Sequence, residues 1–498
     1  MVNYGVSRGC ETCRRRRKKC DEGRPTCGRC AKAKRVCLGY RSYDELHFRH
    51  YTLEAQSPPT SERSATEDAV RSFLDQYVVH SADPRVSRGF LDGLPVLLAN
   101  AEPTSHVVQA TEVVAWASLG NRLSRPNLLA RARAQYVSLL HSFQGLLLSC
   151  QVYEPTVEAL VTAILLGLYE IISSQEHLPE QEQEHVAHVR GVCALMLSPN
   201  SPFDLLSSTQ LFQVANPLLM KHGLRLQNQL TPIPGVFCAP ASNSTVHDLD
   251  SILIKCHPLF ERANSQLLDP VTPLQDLQQT LAHALSIEQS FACWNSQKDA
   301  SWEPRVVGHV SQEQAGQVTS SPFFLPGPVH SYFDLYVAAV MNTYRKTYLM
   351  LLDVLIRLLP RTISTTDTGS RSKDKAGALV DDILASIPYH LANDISPEGT
   401  TSPDSNGRHA RAPEPGVGRA VGGLLLLHPF YVLSSCSIVP PPVQFYVRKR
   451  LAWIGKHMGI GQATIMSKSH SSTPFQQMAE GHVLIWAGML VQPSSATD

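Results

Sequence analysis

Six cysteines in a short N-terminal segment constrain the fold of this chain more than any other feature. They follow the spacing C-x2-C-x6-C-x6-C-x2-C-x6-C, in which the second half repeats the first. Two sulfurs separated by two residues can grip one tetrahedral metal ion, so the pattern predicts a metal-stabilised module. The predicted ligands are Cys10, Cys13, Cys20, Cys27, Cys30 and Cys37.

The number of thiols predicts how the metal is held. Two tetrahedral zinc ions need four ligands each, and six thiolates supply them only if two sulfurs bridge both ions. Cys10 and Cys27 occupy equivalent positions in the two halves and are the candidate bridges. The alternatives are a disulfide knot, or one zinc ion with two spare cysteines. The first ten residues lack the apolar core of a secretory signal, which argues against a disulfide-forming compartment and favours two Zn²⁺ ions.

Positive charge is concentrated in the same segment. The whole chain carries 44 Lys and Arg against 43 Asp and Glu, yet residues 8–41 hold 13 basic and three acidic side chains. Two Zn²⁺ ions and six thiolates leave a net charge of about −2, which neutralises only a small part of this surplus. We therefore expect the remaining basic side chains to face outward, toward a polyanion such as nucleic acid.

The cysteine spacing, the basic run "RRRRKK" and the sequence "CDEGRPTCGRC" resemble the fungal zinc binuclear cluster transcription factors. In that family a short helix starts near the first C-x2-C pair and places its C-terminal end in the DNA major groove, over a CGG-type triplet. The resemblance thus implies a module over residues 8–41 with two short helices, two zinc ions and double-stranded DNA as its partner. The basic run also predicts nuclear import.

The resemblance also assigns the DNA-contacting residues by position. Arg16 and Arg17 lie where the family has its base-reading pair, and the guanidinium of arginine can donate two hydrogen bonds to guanine. Arg14 and Lys19 lie at phosphate-facing positions. Lys18 stands where the family often has an apolar residue, and it joins the predicted DNA-contacting set.

The rest of the chain has a helical pattern. A linker is predicted over residues 42–63, a large all-α domain over residues 64–485, and a tail over residues 486–498. Residues 159–169 form an apolar run too short to span a membrane and predict a buried core helix.

Ser64 and Glu67 predict a capping box at the start of the helical domain. Residues 364–377 and 395–416 are predicted to be mobile loops. A second helical stripe consists of Val443, Val447, Leu451, Ile454 and Met458. The predicted fold class is mainly α.

Two motifs in this body are similar to the fungal-specific transcription factor regulatory domain. They are "HVRG" at residues 188–191 and "VRKRLAWIGKHMGI" at residues 447–460. The similarity implies that the body regulates the DNA-binding end and works with the transcription machinery. Leu46 and Leu53 make only one heptad before Pro58, so dimerisation through a coiled coil is not predicted, and a homodimer through the helical domain stays open.

No catalytic set is predicted. His185 and His188 lie one turn apart without a third ligand at a metalloprotease spacing, so an exposed helix face is the favoured interpretation. The six cysteines outside the N-terminal cluster stand alone and are expected to have core roles.

We therefore expect a nuclear, sequence-specific, DNA-binding regulator of RNA polymerase II transcription, with a role in a specialised metabolite pathway. No membrane association and no enzymatic activity are predicted. The alternative is a zinc-stabilised interaction module that binds nucleic acid by charge only, with the helical body as a protein-interaction scaffold. Both lose affinity as salt rises, but only the regulator prefers one DNA sequence over another.

Overall fold

The computed structural model is mainly helical, as the sequence predicts, and divides into an N-terminal unit, Met1–Ser61, and a body, Glu62–Asp498. The structure describes residues 9–16, 18–39, 62–149, 157–174, 188, 244–311, 324–362, 366–393, 395, 417–468 and 487–489.

The N-terminal unit contains two short helices, α1 (Glu11–Arg15) and α2 (Gly28–Lys32). The described helices of the body are α3 (Glu62–Tyr77), α4 (Leu94–Asn100), α5 (His106–Arg122), α6 (Pro126–Ser149), α7 (Val157–Ser173), α8 (Ser244–Leu268), α9 (Leu274–Gln297), α10 (Leu335–Thr362), α11 (Thr366–Ala385), α12 (Ile387–Leu391), α13 (Ala420–Ser435), α14 (Pro441–Met458) and α15 (Gly461–Lys468). A 3-10 turn, Ala300–Trp302, follows α9.

The first group of helices in the body packs around α5, which contacts α3, α6 and α7. The apolar run at residues 159–169 lies inside α7, and every residue from 159 to 172 is buried. The predicted core helix is therefore confirmed. None of the helices in the described part of the chain is long and apolar enough to cross a membrane.

The second group packs around α10, which contacts α8, α9 and α11. Aromatic rings fill the contact between α9 and α10. Phe291 stacks on Tyr348 with ring centroids 5.1 Å apart, and Trp294 lies 4.8 Å from Tyr344. Such ring pairs contribute about 1 kcal/mol each beyond the area they bury.

Helix α13 lies at the centre of the body. It contains no charged residue, its residues 420–434 are all buried, and it contacts α3, α10, α12 and α14. Helix α14 carries the predicted apolar stripe: Val447, Leu451, Ile454 and Met458 are buried, and Val443 is partly buried against the same core. The predicted stripe is therefore confirmed.

A small β-hairpin was not predicted from the sequence. Strands β1 (Arg305–Val310) and β2 (Gly327–Ser331) pair antiparallel, with an irregularity between Val306 and Gly308. Strand β2 contacts α11 and α12. Two short strands joined by a connection of 16 residues give no continuous alternation for sequence analysis to detect.

The mobile loop predicted at residues 364–377 is wrong, because residues 366–385 form α11. Ser, Thr, Lys and Gly dominate the first half of this segment and favour a loop by composition. The helix forms because Ala376, Leu379, Val380 and Ile383 lie at helical spacing and bury one face against the body. The polar and charged side chains mostly lie on the other, solvent-facing side of this amphipathic helix.

Two further boundaries of the body differ from the prediction. Helix α3 begins at Glu62, so Ser64 lies within its first turn rather than at a capping position. Residues 487–489 are helical, and Ala487 and Met489 are buried, so this part of the predicted tail belongs to the core. The linker up to residue 61, the heptad residues and the predicted loop beyond residue 395 lie outside the described residues.

Gly422 marks a close approach between α13 and α12. A Cβ atom at this position would overlap the backbone carbonyl of His390. We expect Gly422→Ala to destabilise the body by about 3 kcal/mol or more, because backbone must move. In Gly377→Ala the added methyl meets open space within α11, and we expect a gain of about 0.5–1 kcal/mol. Urea unfolding measures the free energy of unfolding of the two variants. Equal changes in the two variants would contradict the close approach of the α12 and α13 backbones at Gly422.

Lys346 on α10 is a buried amine, 6% exposed, with no hydrogen bond or ion pair to any described residue. Burial lowers its pKa from 10.5 to about 7. The free energy of unfolding that the protein loses by burying this amine therefore grows as pH falls from 10.5 to about 7. Below about pH 7 the amine is protonated in both the folded and the unfolded state, so this loss is constant. We expect Lys346→Met to stabilise the body by about 3 kcal/mol at pH 6 and by much less near pH 10.

The matched control for this prediction is Lys373→Met, because Lys373 is exposed on α11. Its unfolding midpoint should match that of the unaltered protein at both pH values. Equal stabilisation by Lys346→Met at the two pH values would show that the amine does not carry the cost.

Candidate metal centre and nucleic-acid interface

The two short helices of the N-terminal unit are built by the cysteines themselves. In the first half, the Sγ of Cys10 accepts a hydrogen bond from the backbone N–H of Cys13 at 3.4 Å. In the second half, the Sγ of Cys27 accepts from the N–H of Cys30 at 3.3 Å. Each C-x2-C pair therefore caps its own helix, and the halves fold in the same way because they share the same spacing.

The repeat extends to the backbone beyond each helix. The N–H of Lys18 donates to the carbonyl of Cys13, and the N–H of Arg35 donates to the carbonyl of Cys30, both at 3.0 Å. These pairs are related by a shift of 17 residues, as are the cysteines. The two turns bring Cys20 and Cys37 back toward the helices.

Two residues hold the halves together and were missed by sequence analysis. The hydroxyl of Thr12 donates to the carbonyl of Val36 and accepts from the N–H of Leu38, both at 3.0 Å. Arg29 occupies the equivalent position 17 residues later and donates to the carbonyl of Lys19 at 2.8 Å. The 17-residue repeat is the only sequence signal that pairs Thr12 with Arg29.

The six sulfurs converge on two adjacent metal positions. Four thiols form each group, and the sulfurs within a group all lie within 4.8 Å of one another. One group is Cys10, Cys13, Cys20 and Cys27, and the other is Cys10, Cys27, Cys30 and Cys37. The two groups share Cys10 and Cys27, whose sulfurs are 3.7 Å apart. Each group offers the four soft ligands that a tetrahedral Zn²⁺ prefers.

Burial makes three of the clustered thiols weaker acids unless a cation lies beside them. Burial raises the pKa of Cys10, Cys13 and Cys27, so these sulfurs hold their protons when no positive charge is near. The pKa of Cys37 is lowered because its sulfur accepts from the backbone N–H groups of Cys27 and Gly39. Zinc ions bound here would take the sulfurs as thiolates and release protons. The donor set therefore fits two zinc ions.

The basic side chains of the module face outward, as predicted. All nine whose surroundings are described are exposed: Arg15, Arg16, Lys18, Lys19, Arg24, Arg29, Lys32, Lys34 and Arg35. Arg15 forms an ion pair with Glu11 at 3.2 Å along α1. The exposed surface of the module is thus suited to phosphate groups.

Most of the predicted DNA-contacting residues follow the end of α1, whereas Arg14 lies within this helix. Arg16 lies in the turn after the helix, and Lys18 and Lys19 follow outside any helix or strand. The side chain of Arg14 and the whole of Arg17 lie outside the described residues.

The cysteines of the body behave differently from one another. Cys256 is buried and Cys436 is half-buried, as expected for core residues. Cys293 is exposed, so the predicted core role is wrong for this residue: it lies on the outer face of α9. Cys150, Cys193 and Cys238 lie outside the described residues.

The histidine motif of the body does not assemble a metal site in the part of the chain that the structure describes. A ring nitrogen of His188 lies 2.8 Å from the hydroxyl of Tyr136, and His188 is half-buried rather than exposed. His185 lies outside the described residues. Among the described residues, only the two cysteine groups could hold a metal ion with three or more ligands.

Comparison with known proteins supports the same interpretation. Residues 8–44 match the fungal Zn(2)-Cys(6) binuclear cluster domain. Transcription factor dbaG of Emericella nidulans is 35% identical over 431 residues, which cover 85% of this chain and 96% of that protein. The match extends well beyond the module and therefore includes much of the helical body.

Two further relatives match over much shorter segments. White-opaque regulator 2 of Candida albicans is 55% identical over 46 residues, or 9% of this chain and 10% of that protein. An uncharacterized transcriptional regulatory protein of Schizosaccharomyces pombe is 57% identical over 35 residues, or 7% of this chain and 6% of that protein. No solved structure matches the chain.

The paired thiol groups, the exposed basic surface and the near full-length match to a transcription factor agree with one another. The chain belongs to the fungal zinc binuclear cluster transcription factors, and its N-terminal module binds two zinc ions.

Proposed function

We propose that this protein is a nuclear regulator of RNA polymerase II transcription that recognises CGG-like triplets in double-stranded DNA. The observation that carries the proposal is the placement of exposed basic side chains directly after α1, which the zinc-binding thiols cap. A rigid short helix followed by cationic side chains can enter the major groove and contact base edges.

In this proposal Cys10 and Cys27 bridge the two zinc ions. Their membership of both thiol groups supports this assignment. Cys13 and Cys20 complete one site, and Cys30 and Cys37 complete the other.

Arg16 and Arg17 are the proposed base readers, and Arg14, Lys18 and Lys19 are the proposed phosphate contacts. The exposure of Arg16, Lys18 and Lys19 supports contact with DNA, because each side chain can reach a polyanion. Base readers discriminate among sequences, whereas phosphate contacts strengthen binding to every sequence.

The alternative function is a zinc-stabilised module that binds nucleic acid by charge only, with the body as a protein-interaction scaffold. The number of exposed cations is consistent with this alternative too. The two proposals differ in sequence preference.

The helical body is proposed to regulate the DNA-binding module, to contact the transcription machinery and to mediate any homodimer. The near full-length similarity to a transcription factor supports a regulatory role for the body. Control of a specialised metabolite pathway stays a prediction from the resemblance.

Zinc stoichiometry tests the bridging role. The unaltered protein should hold two zinc ions per chain after gel filtration, measured by elemental analysis. Cys27→Ser should lose both ions, because its thiolate belongs to both sites, whereas Cys293→Ser should keep both, because Cys293 is exposed in the body. A Cys27→Ser protein that retains one tightly bound zinc ion would contradict the bridging assignment.

Two variants of the basic run test the division between base and phosphate contacts. Arg16→Ala should weaken binding to a CGG-containing duplex by about 10-fold or more while barely changing binding to a scrambled duplex. Lys19→Ala should weaken both equally and reduce the salt dependence. Fluorescence anisotropy with the full chain measures both affinities. Equal losses on both duplexes for Arg16→Ala would support the charge-only alternative.

A further inference from the structure

Helix α14 has two faces of different character. Its apolar stripe is buried in the core, as described above. The opposite face is exposed along the length of the helix, with residues at positions i, i+4, i+8, i+11 and i+15. This exposed stripe consists of Pro441, Phe445, Lys449, Ala452 and Lys456. These spacings place all five side chains on one side of the helix.

The surroundings of the exposed stripe are cationic. Residues 417–468 contain six Lys and Arg and no Asp or Glu. The helices with which α14 makes its main contacts are α5, α13 and α15, and together they contain one acidic residue, Glu112. Neither Lys449 nor Lys456 forms an ion pair with any described residue. Among the described residues, no acidic side chain on α14 or in an ion pair with its lysines therefore neutralises the positive charge of the exposed stripe.

The exposed stripe is also aromatic. The side chain of Phe445 is 59% exposed, and the ammonium of Lys449 lies 4.4 Å from the centroid of its ring. On the flank of the stripe, Trp453 stacks on His457 with ring centroids 5.0 Å apart. A large apolar ring beside an unpaired cation presents both an apolar and an electrostatic contact to the same ligand.

We propose that the exposed stripe of α14 is a docking surface for an acidic peptide segment that carries aromatic or aliphatic side chains. The carboxylates of such a segment would pair with Lys449 and Lys456, which lie seven residues and therefore about 10 Å apart along the helix. An aromatic or aliphatic side chain of the peptide segment would cover the ring of Phe445. Protein interfaces are built in this way, around aromatic anchors with charges at the rim.

Two other occupants fit the exposed stripe less well. Duplex DNA keeps its bases stacked and offers an exposed phenyl ring little to stack on, since aromatic stacking on bases is a feature of single strands. A second copy of the chain, docked face to face, would bring Lys449 and Lys456 against their own equivalents, because a two-fold contact joins identical patches.

The test is a binding titration with the zinc-loaded full chain. The probe is a fluorescein-labelled synthetic peptide of about 15 residues in which Asp and Glu alternate with Leu and Phe, followed by anisotropy at about 150 mM salt. A matched peptide has Asn and Gln in place of the acids. We expect the acidic peptide to bind and the neutral peptide to bind at least about 10-fold more weakly.

Variants at the exposed stripe and at other exposed positions of the body then locate the site. The double variant Lys449→Glu and Lys456→Glu should weaken peptide binding by about 10-fold or more, and Phe445→Ala by about 5-fold. The control is the double variant Lys255→Glu and Lys373→Glu, which reverses two exposed charges on α8 and α11 and should leave peptide binding unchanged. All the altered residues are exposed, and equal melting temperatures verify that the fold is intact.

Several outcomes would overturn the proposal: no binding of the acidic peptide, equal loss in the control variant, or peptide binding that survives charge reversal on α14. A loss of duplex DNA affinity in the α14 variants, with peptide binding unchanged, would show instead that this face contacts nucleic acid. The proposal does not depend on how the module reads DNA. The α14 variants should keep the affinity of the full chain for a CGG-containing duplex, so failure of one proposal is distinguishable from failure of the other.

Discussion

The attraction between thiolates and zinc is the interaction on which the N-terminal module depends. Among its described residues, the buried side chains are those of Cys10, Cys13, Cys27 and Cys30. Segments of fewer than about 40 residues bury too little apolar surface to fold on hydrophobic contacts alone. Burial also raises the pKa of three of these thiols, so they become thiolates only when a cation replaces their protons. Bound metal ions, rather than an apolar core, stabilise a module of this kind, and most of its other side chains lie at the surface.

This arrangement explains why the charge of the chain is distributed unevenly. A module without an apolar core can expose nearly every side chain, so its basic residues all contribute to one outward field. The body has a conventional core around the uncharged helix α13 and is mildly acidic, because 31 basic and 40 acidic residues lie outside residues 8–41. Within this acidic body the exposed stripe of α14 is a local exception. Its charge and its exposed phenyl ring give the body a surface suited to an acidic partner, whereas the module is suited to DNA.

The features predicted well from sequence are those fixed by spacing. The six cysteines predicted two equivalent halves, and the two thiol groups share one cysteine from each half, Cys10 and Cys27. The apolar run in α7 and the stripe in α14 were also predicted, because uninterrupted apolar periodicity has one interpretation in a helical protein.

The features that sequence analysis missed depend on composition or on distant contacts. The first half of α11 has the composition of a loop, and only its burial against the body shows a helix. The β-hairpin depends on pairing across a long connection. Thr12 and Arg29 act through backbone carbonyls far along the chain, and no local pattern identifies such contacts. Cys293 is exposed although cysteine is usually a buried residue type, so residue type alone did not predict its position.

The proposed function requires that a two-zinc module reads DNA sequence rather than only DNA charge. The most direct measurement is selection of bound duplexes from a random pool by the zinc-loaded full chain at about 150 mM salt. We expect strong enrichment of CGG-like triplets, and removal of zinc by a chelator should abolish this enrichment. A pool that is retained by the protein but stays random in sequence would show that the module binds DNA by charge only.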